Sequence, residues 1–146
     1  MDTSNQDTIN LLKECDSGSK MAVSAIDEIL ENIHNVKLKE LLEKSKANHT
    51  KLGNDLHLLL EKYNESEKEP SPIAKSMSFI KTNFKLSMHN DDSTIADLMT
   101  DGCNMGIKSL TKYLNQYSNA NNEAKSLAKK LISIEEDLCN SLKEYL

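Results

Sequence analysis

The sequence contains no tryptophan and no arginine, and its 146 residues include only two prolines, four glycines and three cysteines. Arginine is the side chain that most often reads guanine and grips phosphate, so its absence from a chain of net charge −5 argues against nucleic-acid binding. Few helix breakers together with 28% charged residues are typical of a protein built from long helices. Because only 4% of residues are aromatic, aliphatic side chains and methionines must fill the core.

Long hydrophobic runs are also missing. No segment approaches the roughly 20 apolar residues that a membrane-spanning helix needs, and the polar start of the chain lacks the apolar core of a signal peptide. We therefore expect no membrane insertion and a cytoplasmic location. The cysteines Cys15, Cys103 and Cys139 are widely spaced and form no CxxC pair, so we interpret them as buried, reduced thiols. Nucleophile elbows, phosphate-binding glycine loops and HExxH motifs are absent, so no motif indicates an enzyme.

The most informative pattern lies between residues 38 and 63, where inward positions recur every 3.5 residues, as in a helix of a near-parallel bundle. These positions are Leu38, Leu42, Ser45, His49, Leu52, Leu56, Leu59 and Tyr63. His49 therefore falls in the bundle interior, as the remnant of a metal site, a working ligand or a core histidine. We favour a neutral core histidine that hydrogen-bonds to Ser19, Ser45 or a buried water, because an unpaired buried imidazole is costly.

The same periodicity predicts an all-α fold with one domain spanning residues 1–146. A helical hairpin covers residues 4–64 and a polar linker covers 65–71. A short helix at 72–89 precedes a second hairpin at 93–146. This is a ferritin-like four-helix bundle with an extra short helix before the third core helix.

Details within these helices carry further expectations. Gly18 stands in mid-helix at a cost of about 1 kcal/mol relative to alanine, so we expect a packing demand that offsets it. The small side chains of Cys15, Ser19 and Ala22 on the same helix either let a partner backbone come close or leave a space. Asp92 or Ser93 is the expected N-cap of the third core helix. In the last helix the predicted inward positions are Leu127, Leu131, Ile134, Leu138 and Leu142.

Three segments resemble an uncharacterised bacterial branch of the ferritin-like superfamily. They are residues 11–20 (LLKECDSGSK), 91–99 (DDSTIADLM) and 101–113 (DGCNMGIKSLTKY). The resemblance implies a bundle that, in working members of the superfamily, holds two iron ions between its helices. One glutamate comes from each of two helices, and a Glu-x-x-His pair comes from each of the others.

Most of the ligands that this resemblance implies are replaced. Ser19 stands where the first helix would carry a glutamate, and Lys46 stands three residues before His49. Asn104 and Ile107 occupy the acidic positions of the later helix. Only His49 and Glu135 remain, as vestigial candidates. Since buried iron needs several carboxylates to offset its charge, we expect no metal and no cofactor.

A zinc site built from Cys15, Cys103, Cys139 and His49 is a second possibility, because cysteine and histidine are zinc's preferred ligands. Counting residues along antiparallel hairpins places Cys15 opposite Asn54, about 7 Å along the axis from His49. Cys139 falls opposite Thr100. The four side chains therefore lie at different levels, and we expect no zinc site.

Methionines at 77, 88, 99 and 105, with Phe79 and Phe84, cluster in the third-helix region. They either fill the core or form a surface for a helical protein partner or a second copy of the chain. We therefore expect a non-enzymatic bundle with a degenerate metal site and a structural or protein-interaction role, with a homodimer or a helical protein partner as the two candidate assemblies. The alternative is a metal-binding or di-iron oxidoreductase-type bundle with relocated ligands.

Overall fold

A computed structural model of the chain describes residues 3–63, 65, 83–85 and 91–146. These residues form four long helices and no strand: α1 (Thr3–Ile29), α2 (Val36–Lys62), α3 (Asp92–Gln116) and α4 (Asn122–Leu142). A 3₁₀ turn at Leu30–Asn32 continues α1, and another at Lys143–Tyr145 follows α4. The all-α prediction is confirmed. The predicted linker at 65–71 lies outside the described residues except for residue 65. The short helix predicted at 72–89 also lies outside them, except for residues 83–85, which are helical.

Asparagine and aspartate side chains fix the starts of three helices. Oδ1 of Asn35 accepts from the backbone N–H of Leu38 at 3.1 Å and begins α2. Asn121 caps α4 in the same way through the N–H of Ala124, at 2.9 Å. These side chains satisfy backbone donors that the helix itself leaves unpaired.

The N-cap of α3 is Asp91, whose side chain accepts from the N–H of Thr94 at 2.9 Å. The prediction of Asp92 or Ser93 was therefore wrong by one residue. The carboxylate of Asp92 is engaged elsewhere, because it accepts from the backbone N–H groups of His34 and Asn35 in the α1–α2 turn, at 2.9 and 2.8 Å.

Contacts at the two ends of the molecule give the helix directions. Asp92 joins the start of α3 to the turn where α1 ends and α2 begins. At the other end, the N–H of Asn121 donates to Oγ1 of Thr8 at 2.8 Å, so α4 begins beside the start of α1. The helices therefore run up, down, down and up. Tyr63 also lies at this lower end, because its hydroxyl accepts from the side chain of Asn121 at 2.9 Å.

Two apolar clusters make up the core, one in each half of the molecule. The half near the α1–α2 turn contains Ile26, Ile29, Leu38, Leu42, Ile95, Met99 and Leu142, together with Phe84. The half near the start of α1 contains Leu11, Leu12, Leu56, Leu60, Leu110, Ala124 and Leu131. Phe84 and Met99 therefore fill the core, whereas Met105 is an exposed methionine, with 52% of its surface accessible.

The predicted inward positions of α2 are confirmed, since all of them from Leu38 to Leu59 are buried, and only Tyr63 is half-buried. The prediction for α4 is confirmed at Leu131, Leu138 and Leu142, whereas Leu127 and Ile134 are half-buried and pack against the edge of the core. The full set of buried residues in α4 is Ala124, Ala128, Leu131, Glu135, Leu138 and Leu142. This spacing of four and three brings Glu135 into the interior.

Candidate functional site

A layer of polar side chains separates the two apolar clusters. It contains Ser19 on α1, Ser45 and His49 on α2 and Glu135 on α4, all of them buried. We call these four residues the polar layer. Each lies between apolar neighbours on its own helix, as His49 does between Leu42 and Leu52. The helical periodicity that buries the leucines therefore buries these polar groups as well.

His49 uses both of its ring nitrogens in hydrogen bonds. Nδ1 lies 2.8 Å from the backbone oxygen of Ser45, and because a carbonyl can only accept, Nδ1 carries a proton and donates it. Nε2 lies 2.8 Å from Oε1 of Glu135. One further proton joins this pair, so either an imidazolium donates to a carboxylate or a carboxylic acid donates to a neutral imidazole. In both forms the pair is electrically neutral.

Several opposing effects set the protonation of His49, which is fully buried. Burial lowers the pKa of His49, because the charged imidazolium loses its hydration. The hydrogen bond and the negative charge of Glu135, together with the bond to Ser45, act in the other direction and outweigh burial. The pKa of His49 is therefore raised above its ordinary value, which favours the imidazolium–carboxylate form.

Two thiols lie on the far side of Glu135. Cys103 on α3 is buried in the apolar cluster near the α1–α2 turn, and Cys139 packs against the same cluster. Sγ of Cys139 also lies 3.4 Å from Oδ1 of Asn104 and 4.0 Å from the backbone oxygen of Thr100. Burial and, secondarily, the charge of Glu135 raise the pKa of Cys103. Cys103 therefore stays a thiol and lacks the thiolate that a nucleophile needs.

The positions that would hold iron do not supply ligands. Oγ of Ser19 donates to the backbone oxygen of Asp16 at 2.9 Å, and Lys46 forms an ion pair with Asp27 at the surface. Asn104 is exposed and Ile107 is half-buried. Among the described residues, no three histidine, cysteine, aspartate or glutamate side chains come together in a way that could hold a metal ion. The polar layer therefore does not fit a di-iron centre, which needs six protein ligands.

The four candidate zinc ligands do not converge either. Cys15 belongs to the lower apolar cluster with Leu52 and Leu56, while Cys103 belongs to the upper one. The predicted level of Cys139 opposite Thr100 agrees with the contact between these two residues. The expectation of buried thiols needs one correction, since Cys139 is partly exposed.

A cavity of about 190 Å³ opens between α1 and α3 beside the polar layer. The cavity exists because small residues on both helices leave the space between them unfilled. They are Gly18, Ala22 and Ala25 on α1 and Gly102 and Gly106 on α3. The floor is formed by α4. Glu135 is part of it, and a Cβ atom placed on Gly106 would lie 3.5 Å from Cδ of this glutamate.

Sequence reasoning named His49 and Glu135 together as the two remaining ligand candidates without predicting a contact between them, and the structure joins them by a hydrogen bond. It left open whether the small side chains of α1 pack closely or leave a space, and the structure has a cavity beside them. Glu135 was not among the predicted inward positions of α4, although a spacing of four and three from Leu131 passes through it.

The fold resembles that of an all-helical protein, described as "Crystal structure of DUF305 fragment from Deinococcus radiodurans". The TM-score is 0.73, and the match covers 94% of this chain and 93% of that chain at 11% sequence identity. At this identity the likeness shows a shared fold alone. No protein-family profile and no curated protein matches the sequence. In the described part of the chain, no helix is long and apolar enough to cross a membrane.

Proposed function

We propose that the protein is a ferritin-like bundle without enzymatic activity, in which the His49–Glu135 pair stands in place of a metal centre. Its role is then structural or one of protein interaction. Two lines of support are the helix directions and the bonding of His49.

The helix directions support the ferritin-like part of the proposal. Two antiparallel hairpins, α1–α2 and α3–α4, are joined so that α2 and α3 run in the same direction. A long crossover between two hairpins is the arrangement of ferritin-like bundles, whereas simple up-down bundles have short loops throughout.

The observation that carries the proposal is the pairing of His49 Nε2 with Glu135. Nδ1 donates to the backbone oxygen of Ser45, as the second nitrogen of a metal-bound histidine also does. Only Nε2 could therefore offer a lone pair to a metal, and it shares a proton with Glu135. Glu135 in turn is the one acidic side chain of the polar layer, so a cation would find a single carboxylate there. Several carboxylates are needed to offset the charge of two buried iron ions.

The test is the metal content of the purified protein after incubation with ferrous iron or zinc, followed by desalting. We expect no stoichiometric metal in the wild-type chain. A His49→Ala variant should give the same result, and a His57→Ala variant serves as the matched control because His57 lies outside the polar layer. One or two metal ions per chain that disappear in His49→Ala and persist in His57→Ala would contradict the proposal.

A metal-binding bundle with relocated ligands is the second candidate. It is favoured by the position of Cys103, which lines one cavity with Glu135 and shares an apolar cluster with Cys139. In that case thiolates would supply the charge that the missing carboxylates do not. The same measurement separates the two candidates, because metal would then be lost in a Cys103→Ser variant as well.

The partner surface is also a proposal. Of the Met/Phe-rich region, Met77, Phe79 and Met88 lie outside the described residues, and Phe84 is buried. We propose that a helical partner or a second copy docks in this region and that the protein is cytoplasmic. Light scattering of the purified chain tests the homodimer, since a monomer mass over the micromolar range would exclude it.

A further inference from the structure

We propose that the cavity between α1 and α3 binds a small hydrophobic ammonium ion, meaning a ring-sized apolar body that carries one protonated amine. The proposal adds a ligand to the non-enzymatic bundle described above. It stands on the size, the lining and the charge of the cavity, and it does not depend on the metal question.

The size of the cavity limits the ligand. Its volume is about 190 Å³, whereas an engineered cavity of ~150 Å³ in another protein takes up benzene. The space therefore suits one six-membered ring and a short substituent. A docked partner helix would need a far larger surface, since stable interfaces bury about 800 Å² on each side.

The lining is mostly apolar. Met21 and Ala22 on α1 face Met99 and Leu110 on α3, and Leu131 closes the floor from α4. Methionine side chains adapt to aromatic and aliphatic rings through their flexible, polarizable thioethers. The walls thus favour a hydrophobic ring over a polar or multiply charged molecule.

The polar groups of the lining select a cation. Glu14, Asp101 and Glu135 line the cavity, and none of the described residues that line it is basic. Glu135 is paired with His49, and the other two carboxylates of the lining are the buried Glu14 and the exposed Asp101. Glu14 is only 9% exposed, and it lies close enough to Tyr113 that, next to burial, its carboxylate raises the pKa of the Tyr113 hydroxyl. A buried carboxylate beside an apolar wall attracts an ammonium group strongly, because little water screens it.

Three probes of one shape test the charge: benzylamine, benzyl alcohol and benzoate. We expect benzylamine to shift the backbone amide NMR signals of Gly18, Gly102 and Gly106, and to bind about tenfold more tightly than benzyl alcohol, since hydrogen bonds to charged groups are the stronger ones. Benzoate should not bind. Equal affinity for the alcohol and the amine, binding of benzoate, or unshifted glycine signals would each overturn the proposal.

Two variants locate the site. Glu14→Gln should lower the affinity for benzylamine to that for benzyl alcohol, while Glu136→Gln, an exposed change on α4, should leave it unaltered. Ala22→Phe should fill the cavity and abolish binding of both probes while the thermal unfolding midpoint is kept or raised. Unchanged benzylamine affinity in Glu14→Gln would contradict the assigned anchor even if Ala22→Phe failed to fold.

Discussion

Nε2 of His49 and Oε1 of Glu135 lie 2.8 Å apart, although 86 residues separate them in the sequence. The bond joins α2 to α4 across the bundle interior, where His49 is fully buried and Glu135 is 7% exposed. Because neither group is hydrated there, each depends on the other for its polar partner.

Removing one member of this pair should therefore destabilise the protein. We expect His49→Ala to lower the free energy of unfolding by about 3 kcal/mol, because it leaves the carboxylate of Glu135 buried without its partner and opens a cavity. Replacing both members, as His49→Leu with Glu135→Met, should cost much less or even stabilise the chain. Urea denaturation of the two variants decides this. A double variant that is no more stable than His49→Ala would show that the pair is not an isolated polar unit.

The raised pKa of His49 predicts that stability falls as the pH rises. In the unfolded chain His49 releases its proton near 6.5, whereas in the folded protein it holds the proton to higher pH. Between these two values the folded state binds more protons, so its stabilisation is complete below the unfolded pKa and is lost through the folded pKa. Urea denaturation from about pH 6 to 9 should show this decline. In His49→Gln the contribution should vanish, and a wild-type stability that rises over this range would contradict the assignment.

Sequence patterns were sufficient for the helices and for most of the core, because a period of 3.5 residues reports which face is buried. They also placed His49 in the interior, because it stands on the same 3.5-residue repeat as the leucines of α2. On α4 they missed Ala128 and Glu135, which are buried although neither is as hydrophobic as the adjacent Leu127 and Ile134.

The partner of His49 could not be derived in the same way. A periodicity describes one helix at a time, whereas the His49–Glu135 bond depends on how deeply α2 and α4 pack and on the rotation of each helix about its axis. Counting from the turns gave the correct level for Cys139 against Thr100. It could not show that small residues on α1 and α3 leave a cavity, since the same residues also permit close packing.

Asp92, at the start of α3, holds the α1–α2 turn, which is distant in sequence. Removing its carboxylate should therefore destabilise that turn. Its carboxylate accepts from the N–H groups of His34 and Asn35. We expect Asp92→Ala to lower the free energy of unfolding by about 1–2 kcal/mol, because both donors lose a charged acceptor at a partly exposed site. Hydrogen exchange of these two amides should accelerate. Ser93→Ala is the matched neighbour with an exposed side chain, and an equal loss in that variant would contradict this role of Asp92.

The three cysteines should differ sharply in their reactivity with iodoacetamide. Burial, with smaller contributions from Glu14 and Asp16, raises the pKa of Cys15 to about 12. Cys139 is partly exposed, and although burial also raises its pKa, the reagent can reach it. Peptide mass spectrometry should find Cys139 modified at least about 100-fold faster than Cys15, which reacts only after global opening. Cys103 should fall between them, because it is buried but lines the cavity between α1 and α3. In denaturant the three rates should converge, and fast labelling of Cys15 in the folded protein would contradict the described packing of α1.

Gly18 and Gly53 both stand inside helices, but the space beside them differs. A Cβ atom at Gly18 would meet Cδ2 of Leu131 at 3.9 Å, an ordinary contact, so close packing is not what requires glycine there. A Cβ atom at Gly53 would lie 3.1 Å from Oγ of Ser19, which is held by its bond to Asp16. Alanine is favoured over glycine in helices by about 1 kcal/mol.

We therefore expect Gly18→Ala to raise the free energy of unfolding by about 0.5–1 kcal/mol, whereas Gly53→Ala should gain less or lose stability. The difference is attributable to Ser19 if Gly53→Ala recovers the full gain in a Ser19→Ala background, where the obstructing oxygen is absent. Urea denaturation of the four chains in this cycle measures the coupling between positions 19 and 53. An equal effect of Gly53→Ala in both backgrounds would mean that α1 and α2 are not in close contact at this level.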